Sequence, residues 1–226
     1  MSILSSEIAS MIDHSLLLPT LTTPEFEIGC QTAINFQVAS VCCMPFHLKR
    51  CAEILQNTQV KASTTIGFPQ GVQSTKVKLY EAEQVLADGC QELDMVVNPS
   101  WVQSGDWDLV RNEIDAIVSI SHQAGQKVKV IFENCNLNRL QKIRLCQICS
   151  EVNADWVKTS TGFGTSGAKV EDIRLMVQHT PGHIQVKAAG GIRDLDTLLQ
   201  FRDLGATRIG TSSTEKIMKQ VTQFQE

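Results

Sequence analysis

A chain of 226 residues with 42% apolar content is long enough to bury a sizeable core. Its net charge of −4 gives no electrostatic reason to expect nucleic acid or an anionic membrane as a partner. No apolar stretch approaches the roughly 18 residues of a membrane span. The opening "MSILSSEIAS" lacks the basic cluster and apolar block of a signal peptide, so a soluble cytoplasmic protein is expected.

Short β-branched runs recur along the chain. "MIDHSLL" (11–17) is the first strand candidate, followed by "VASVCC" (38–43), "VKASTTIG" (60–67) and "ELDMVVN" (92–98). "KVKVIFE" (127–133), "DWVKTS" (155–160), "IQVKAA" (184–189) and "TRIGTS" (207–212) complete the set. Helical periodicity fills the gaps. Leu79, Ala82, Val85 and Leu86 form one stripe ending near Gly89. Val110, Ile114, Ile117 and Val118 form another, between Asp106 as N-cap and Gly125. Leu195, Leu198 and Leu199 follow the N-cap candidate Asp194, and Gly205 stops that helix.

Eight strands alternating with about eight helices predict one α/β domain over residues 1–226, a (β/α)8 TIM barrel. An open doubly wound sheet would usually carry a glycine-rich fingerprint after its first strand, and "MIDHSLLLPT" has none. The eight cysteines, Cys30, Cys42, Cys43, Cys51, Cys90, Cys135, Cys146 and Cys149, follow no framework spacing. The single C-x-x-C, Cys146 to Cys149, has no second ligand pair, so reduced, mostly buried thiols are expected.

In a barrel, chemistry sits at the C-terminal ends of the strands. "VKTSTGFG" (157–164) and "VKAAGGIR" (186–193) each place a lysine near such an end, on neighbouring strands six and seven. Asp94 lies on the fourth strand, Glu133 ends the fifth, and Asp13 and His14 lie on the first. Lys61, Lys127 and Lys129 stand near strand starts and are expected to point outward and snorkel. Lys158 or Lys187 could do the same, but the small and glycine-rich turns that follow them leave room for a ligand.

A free lysine, with a pKa near 10.4, is neutral about once in 2,500 molecules at pH 7. A second ammonium about 4 Å away, at an effective dielectric near 20, disfavours double charge by about 4 kcal/mol. That is roughly three pKa units, enough to give a nucleophilic amine without deep burial. Such an amine forms a Schiff base with a carbonyl, and the imine then serves as electron sink for C–C cleavage. Asp94 is the candidate acid/base group. "GGIRD" (190–194) and "GTSS" (210–213) precede the last two helices, where barrels bind phosphate. The residues point to a Schiff-base lyase or transferase acting on a small phosphorylated aldehyde or ketone.

The chain resembles the class I deoxyribose-phosphate aldolases along nearly all its length. The resemblance rests on "IDHSLLLPTLT" (12–22), "VCCMP" (41–45), "IGFPQG" (66–71), "ELDMVVN" and "KVIFE" (129–133), together with "DWVKTSTGFG" (155–164), "VKAAGGIR" and "RIGTSS" (208–213). It implies reversible cleavage of 2-deoxy-D-ribose 5-phosphate to acetaldehyde and D-glyceraldehyde 3-phosphate, without metal or organic cofactor, by a homodimer. Lys158 then corresponds to the Schiff-base lysine, Lys187 to its tuning partner and Asp94 to the proton-relay carboxylate. Gly162, Gly190, Gly191, Arg193, Gly210, Ser212 and Ser213 fall on the phosphate-binding turns. Leu18, Asn134, Phe163 and Ala189 depart from residues common in the family, which bears on affinity more than on chemistry. The competing readings are an aldolase of altered specificity, a barrel isomerase or lyase that forms no covalent intermediate, and a non-catalytic binding protein.

Overall fold

Short strands whose residues are buried on both faces need cover on both sides, and parallel pairing with crossover helices supplies it. The computed structural model describes residues 3–223. Its strands are β1 (Ile12–Leu16), β2 (Ser40–Cys43), β3 (Lys61–Ile66), β4 (Glu92–Val96), β5 (Lys127–Ile131), β6 (Trp156–Lys158), β7 (Gln185–Ala189) and β8 (Arg208–Thr211). All pairs are parallel, in sequence order, and β8 closes on β1, so the expected (β/α)8 barrel is what forms.

The main crossover helices are α2 (Thr23–Phe36), α3 (Leu48–Leu55), α4 (Thr75–Ala87), α6 (Trp107–Gln123), α7 (Arg139–Glu151), α8 (Val170–His179) and α9 (Leu195–Asp203), and α10 (Thr214–Gln223) follows β8. Two more raise the count above the expected eight among the described residues. α1 (Ile3–Met11) precedes the first strand and packs on α10. α5 (Pro99–Ser104) starts because Asn98 caps the Ser100 and Trp101 N–H groups and Pro99 presets the first turn. Asp194 caps α9 through the Thr197 N–H (2.9 Å), as its position predicts. Asp106 holds the N-cap position of α6, but its side chain makes no cap bond.

Alternation divides each strand between two environments. Leu93 and Met95 of β4, Val128 and Val130 of β5, Val157 of β6 and Val186 and Ala188 of β7 join the apolar core. The intervening residues face the barrel axis. There the side chains are Glu92, Asp94, Lys129, Lys158 and Lys187, which meet one another as ions. No described helix is long and apolar enough to cross a membrane.

Candidate active site

The barrel register brings charges from six strands into one buried cluster. Lys158 pairs with Lys187 across β6 and β7, and Asp94 pairs with Lys129 across β4 and β5. Asp94 Oδ2 accepts from Lys187 Nζ (2.6 Å) and Lys158 Nζ (2.7 Å), while Oδ1 accepts from Lys129 Nζ (2.9 Å). Asp13 Oδ2 lies 2.5 Å from Lys187 Nζ, and Asp13 Oδ1 accepts from Arg208 (2.6 Å). Glu92 Oε2 lies 2.5 Å from Lys129 Nζ and 2.7 Å from Arg208 Nη1.

Lys129 therefore does not snorkel outward. Its flanking residues Val128 and Val130 take the helix-facing side of β5, which leaves Lys129 for the interior, where it is fully buried among three carboxylates. The same alternation that turns Asp94 inward was available to place it. Lys61 and Lys127 are exposed at their strand starts, with Lys127 Nζ 5.2 Å from the Trp156 ring centre. Arg208, Glu92 and Cys42 were also missed as members of this site. Cys42 Sγ lies 3.9 Å from Asp94 Oδ2, and burial raises its pKa above the ordinary thiol value.

Counting carboxylates within 4 Å separates the cations. Lys129 has three, Lys187 and Arg208 have two each, and Lys158 has one. Burial opposes the charge of every lysine in the cluster, but only at Lys158 does it prevail. The Lys158 pKa is lowered by burial, which with the Lys187 charge outweighs Asp94. Burial is thus the larger influence at Lys158, beyond the neighbouring charge that the sequence alone suggests. At Lys187, burial is outweighed by Asp13 and Asp94, and its pKa is raised. Asp94 itself resists the upward pull of burial because Lys129, Lys158 and Lys187 hold its carboxyl well below the usual range.

Above the cluster opens a cavity of roughly 490 Å³, large enough for a small sugar phosphate. Lys158 and Lys187 form part of its wall, whereas Asp94 lies behind them, out of the lining. Gly162, Gly190, Gly191, Arg193, Gly210 and Ser212 all reach the cavity. Ser213 is one residue beyond the wall, its N–H donated to Thr211 Oγ1 (2.9 Å). The Thr211 hydroxyl in turn donates to Ile192 O (2.7 Å), tying the turns after β7 and β8 together. At Gly191 a side chain would meet open space, so its φ of +81° is what requires glycine. Gly210 has a different reason: a Cβ there would press on Ala189 (3.0 Å) and on the Lys187 stem (3.3 Å).

His14 lines the same cavity with Nδ1 2.8 Å from Thr214 Oγ1, and burial lowers its pKa to about 4. Leu18, Phe163 and Ala189 stand in the cavity wall, and Phe163 meets Phe68 edge-on at 5.4 Å. Asn134 is not in that wall; its side-chain amide donates to Met176 Sδ (3.3 Å). Glu133 takes up the loop after β6 by accepting from the Thr161 hydroxyl and N–H.

The DeoC/LacD family aldolase pattern matches residues 8–219. The chain belongs to that family of aldolases. It is 58% identical over 212 residues to the deoxyribose-phosphate aldolase of Rhodopirellula baltica, covering 94% of this chain and 88% of that protein. It is 44% identical to the Thermococcus gammatolerans deoxyribose-phosphate aldolase, covering 94% and 96%. Among solved structures, the aldolase QR15 superposes with a TM-score of 0.92 at 36% identity, over 97% of both chains. The tetrameric deoxyribose phosphate aldolase of Aeropyrum pernix gives 0.90 at 30% identity, over 97% of this chain and 93% of that one. Family membership makes this barrel a carbon–carbon lyase and removes the non-catalytic reading.

Proposed function

We propose that the protein is a deoxyribose-phosphate aldolase that works through an imine at Lys158. Neutral Lys158 adds to C1 of open-chain 2-deoxy-D-ribose 5-phosphate, and loss of water gives the protonated imine. Deprotonation of the C3 hydroxyl then breaks the C2–C3 bond. Its electrons pass into the imine, releasing D-glyceraldehyde 3-phosphate and leaving an enamine. Protonation at C2 and hydrolysis free acetaldehyde and return the amine.

The observation that carries this reading is the unequal pairing of the two cavity lysines. Three carboxylates, Asp13, Glu92 and Asp94, face four cations, Lys129, Lys158, Lys187 and Arg208, so full protonation leaves one surplus positive charge. The cation with the fewest carboxylates gives up its proton most readily, and that is Lys158. Lys187, kept charged by two carboxylates, is the group that touches substrate and exchanges protons with it. Asp94 stands 2.6 Å behind Lys187 as the relay carboxylate. Gly162, Gly190, Gly191, Arg193, Gly210, Ser212 and Ser213 belong to the turns that receive the phosphate, with Arg193 supplying a formal positive charge. The proposal has residues 1–226 acting as one domain, in the cytoplasm, as a homodimer without metal or organic cofactor. Light scattering of the purified protein tests the assembly.

Incubation with acetaldehyde and borohydride, followed by mass spectrometry, tests the chemistry. An ethyl group should appear on Lys158. Modification mainly at Lys187, or at neither lysine, would overturn the assignment.

A further inference from the structure

Arg208 and Glu92 occupy the end of the ion cluster away from the cavity, and neither lines it. The bond-making steps above use neither residue. Yet Arg208 grips both acidic strands. Nη1 donates to Asp13 Oδ1 (2.6 Å) and Glu92 Oε2 (2.7 Å), and Nη2 donates to Glu92 Oε1 (3.3 Å). The guanidinium lies 4.7 Å from the Trp156 ring centre, with Lys129 Nζ 5.7 Å from the same ring. Two ionic chains run from this clamp to the cavity. One passes through Asp13, Lys187 and Asp94 to Lys158; the other passes from Glu92 through Lys129 and Asp94 to Lys158.

We infer that Arg208 and Glu92 are positioning residues that set, from the far end of the barrel, the pH at which Lys158 becomes a nucleophile. The inference rests on Lys158 as the imine-forming amine. The titratable and charged groups of the cluster and cavity wall are Asp13 and His14 from β1, Cys42 from β2, Glu92 and Asp94 from β4, Lys129 from β5, Lys187 from β7, Arg208 from β8 and, outside the cluster's ion pairs, Arg193 from the turn after β7. Neutral thiol and imidazole leave the carboxylates and cations to determine the balance. Without Arg208, three carboxylates face three cations, no positive charge is surplus, and Lys158 keeps its proton to higher pH. Without the Glu92 charge, two carboxylates face four cations, and Lys158 loses its proton at lower pH. A clamp serving only to close the barrel would impair both variants alike and give no opposite signs. One unit charge across roughly 10 Å, at an effective dielectric near 20, moves the midpoint by about one pH unit.

The test is the rate of acetaldehyde capture at Lys158 with cyanoborohydride, followed against pH in the full chain. Arg208→Gln should move the midpoint about one unit alkaline, and Glu92→Gln a similar amount acid. Arg208→Lys keeps the charge and should keep the midpoint even if capture is slower. The double Arg208→Gln, Glu92→Gln variant loses one charge of each sign and should return close to wild type. Midpoints that stay put, or move together, overturn the inference. If Arg208→Gln does not fold, Glu92→Gln decides it, since a fixed or alkaline midpoint there contradicts the charge balance. Failure of the wild-type protein to capture acetaldehyde at Lys158 would instead sink the imine reading.

Discussion

On β4, neighbouring residues live in two different media. Leu93 and Met95 pack in the dry layer between sheet and helices, while Glu92 and Asp94 project into a barrel axis filled with lysines and an arginine. The outer layer stabilises the fold by removing apolar area from water. The axis instead gathers buried ions, whose mutual attraction must offset the desolvation of each member. Lys158 is the member least compensated, so the position most favourable to chemistry is the least favourable to a charge. The strands divide apolar packing and buried charge between their two faces.

That division can be broken most severely at Lys158 itself. Lys158→Leu should lower cleavage by about 10⁴-fold or more and abolish acetaldehyde capture. Its melting temperature should equal or exceed that of the wild type, because the substitution removes the surplus charge. A drop of several degrees would show that the ammonium had been stabilising the fold.

Lys187→Leu should come next. Removing this cation leaves Asp94 to favour the charged form of Lys158, so the Lys158 pKa rises and imine formation moves alkaline. A shift of about two to three units is expected for a neighbouring charge. An unchanged pH profile with activity intact would mean that the two amines are not coupled.

Asp94→Asn keeps the shape but cannot accept a proton. Hydrogen exchange at the acetaldehyde methyl group should fall by about 10²-fold if Asp94 relays protons. Exchange at the wild-type rate would leave it a counter-ion for the three lysines around it.

On the apolar face the expected effect on chemistry is smallest. Leu93→Ala should cost about 2–5 kcal/mol of stability, measured by denaturant unfolding, with the pH profile of imine formation unmoved. A shifted profile would show that the two faces of β4 are not separable. Acid exposes the converse dependence. Asp13 and Asp94 have folded pKa values below their unfolded ones, so their stabilisation is complete above about pH 4. It is lost as pH falls through the depressed folded values. Unfolding titrations of Asp94→Asn should show a smaller loss over that acid range than the wild type.

Much of this was legible in the chain. Alternating β-branched runs and capped helical stripes predict the barrel, because each period follows from local backbone geometry. The positions of Lys158 and Lys187 before small, glycine-containing turns point to the end of the barrel where the cavity opens. Asp106 shows a limit even for local signals: a residue type suited to capping held the cap position without making the bond.

Sequence by itself determined which residues were available, where strands and helices would alternate, and that two lysines and an aspartate could share a strand-end site. Only the closed barrel decided the charge balance. Lys129 joins that balance through the register of β5 against β4, and Arg208 joins it because β8 returns to β1. Asp13 and Arg208 stand 195 positions apart in the chain and 2.6 Å apart in space. Local periodicity cannot count such partners, because the interaction that sets a buried amine's charge depends on distance and dielectric, and both are properties of the folded whole.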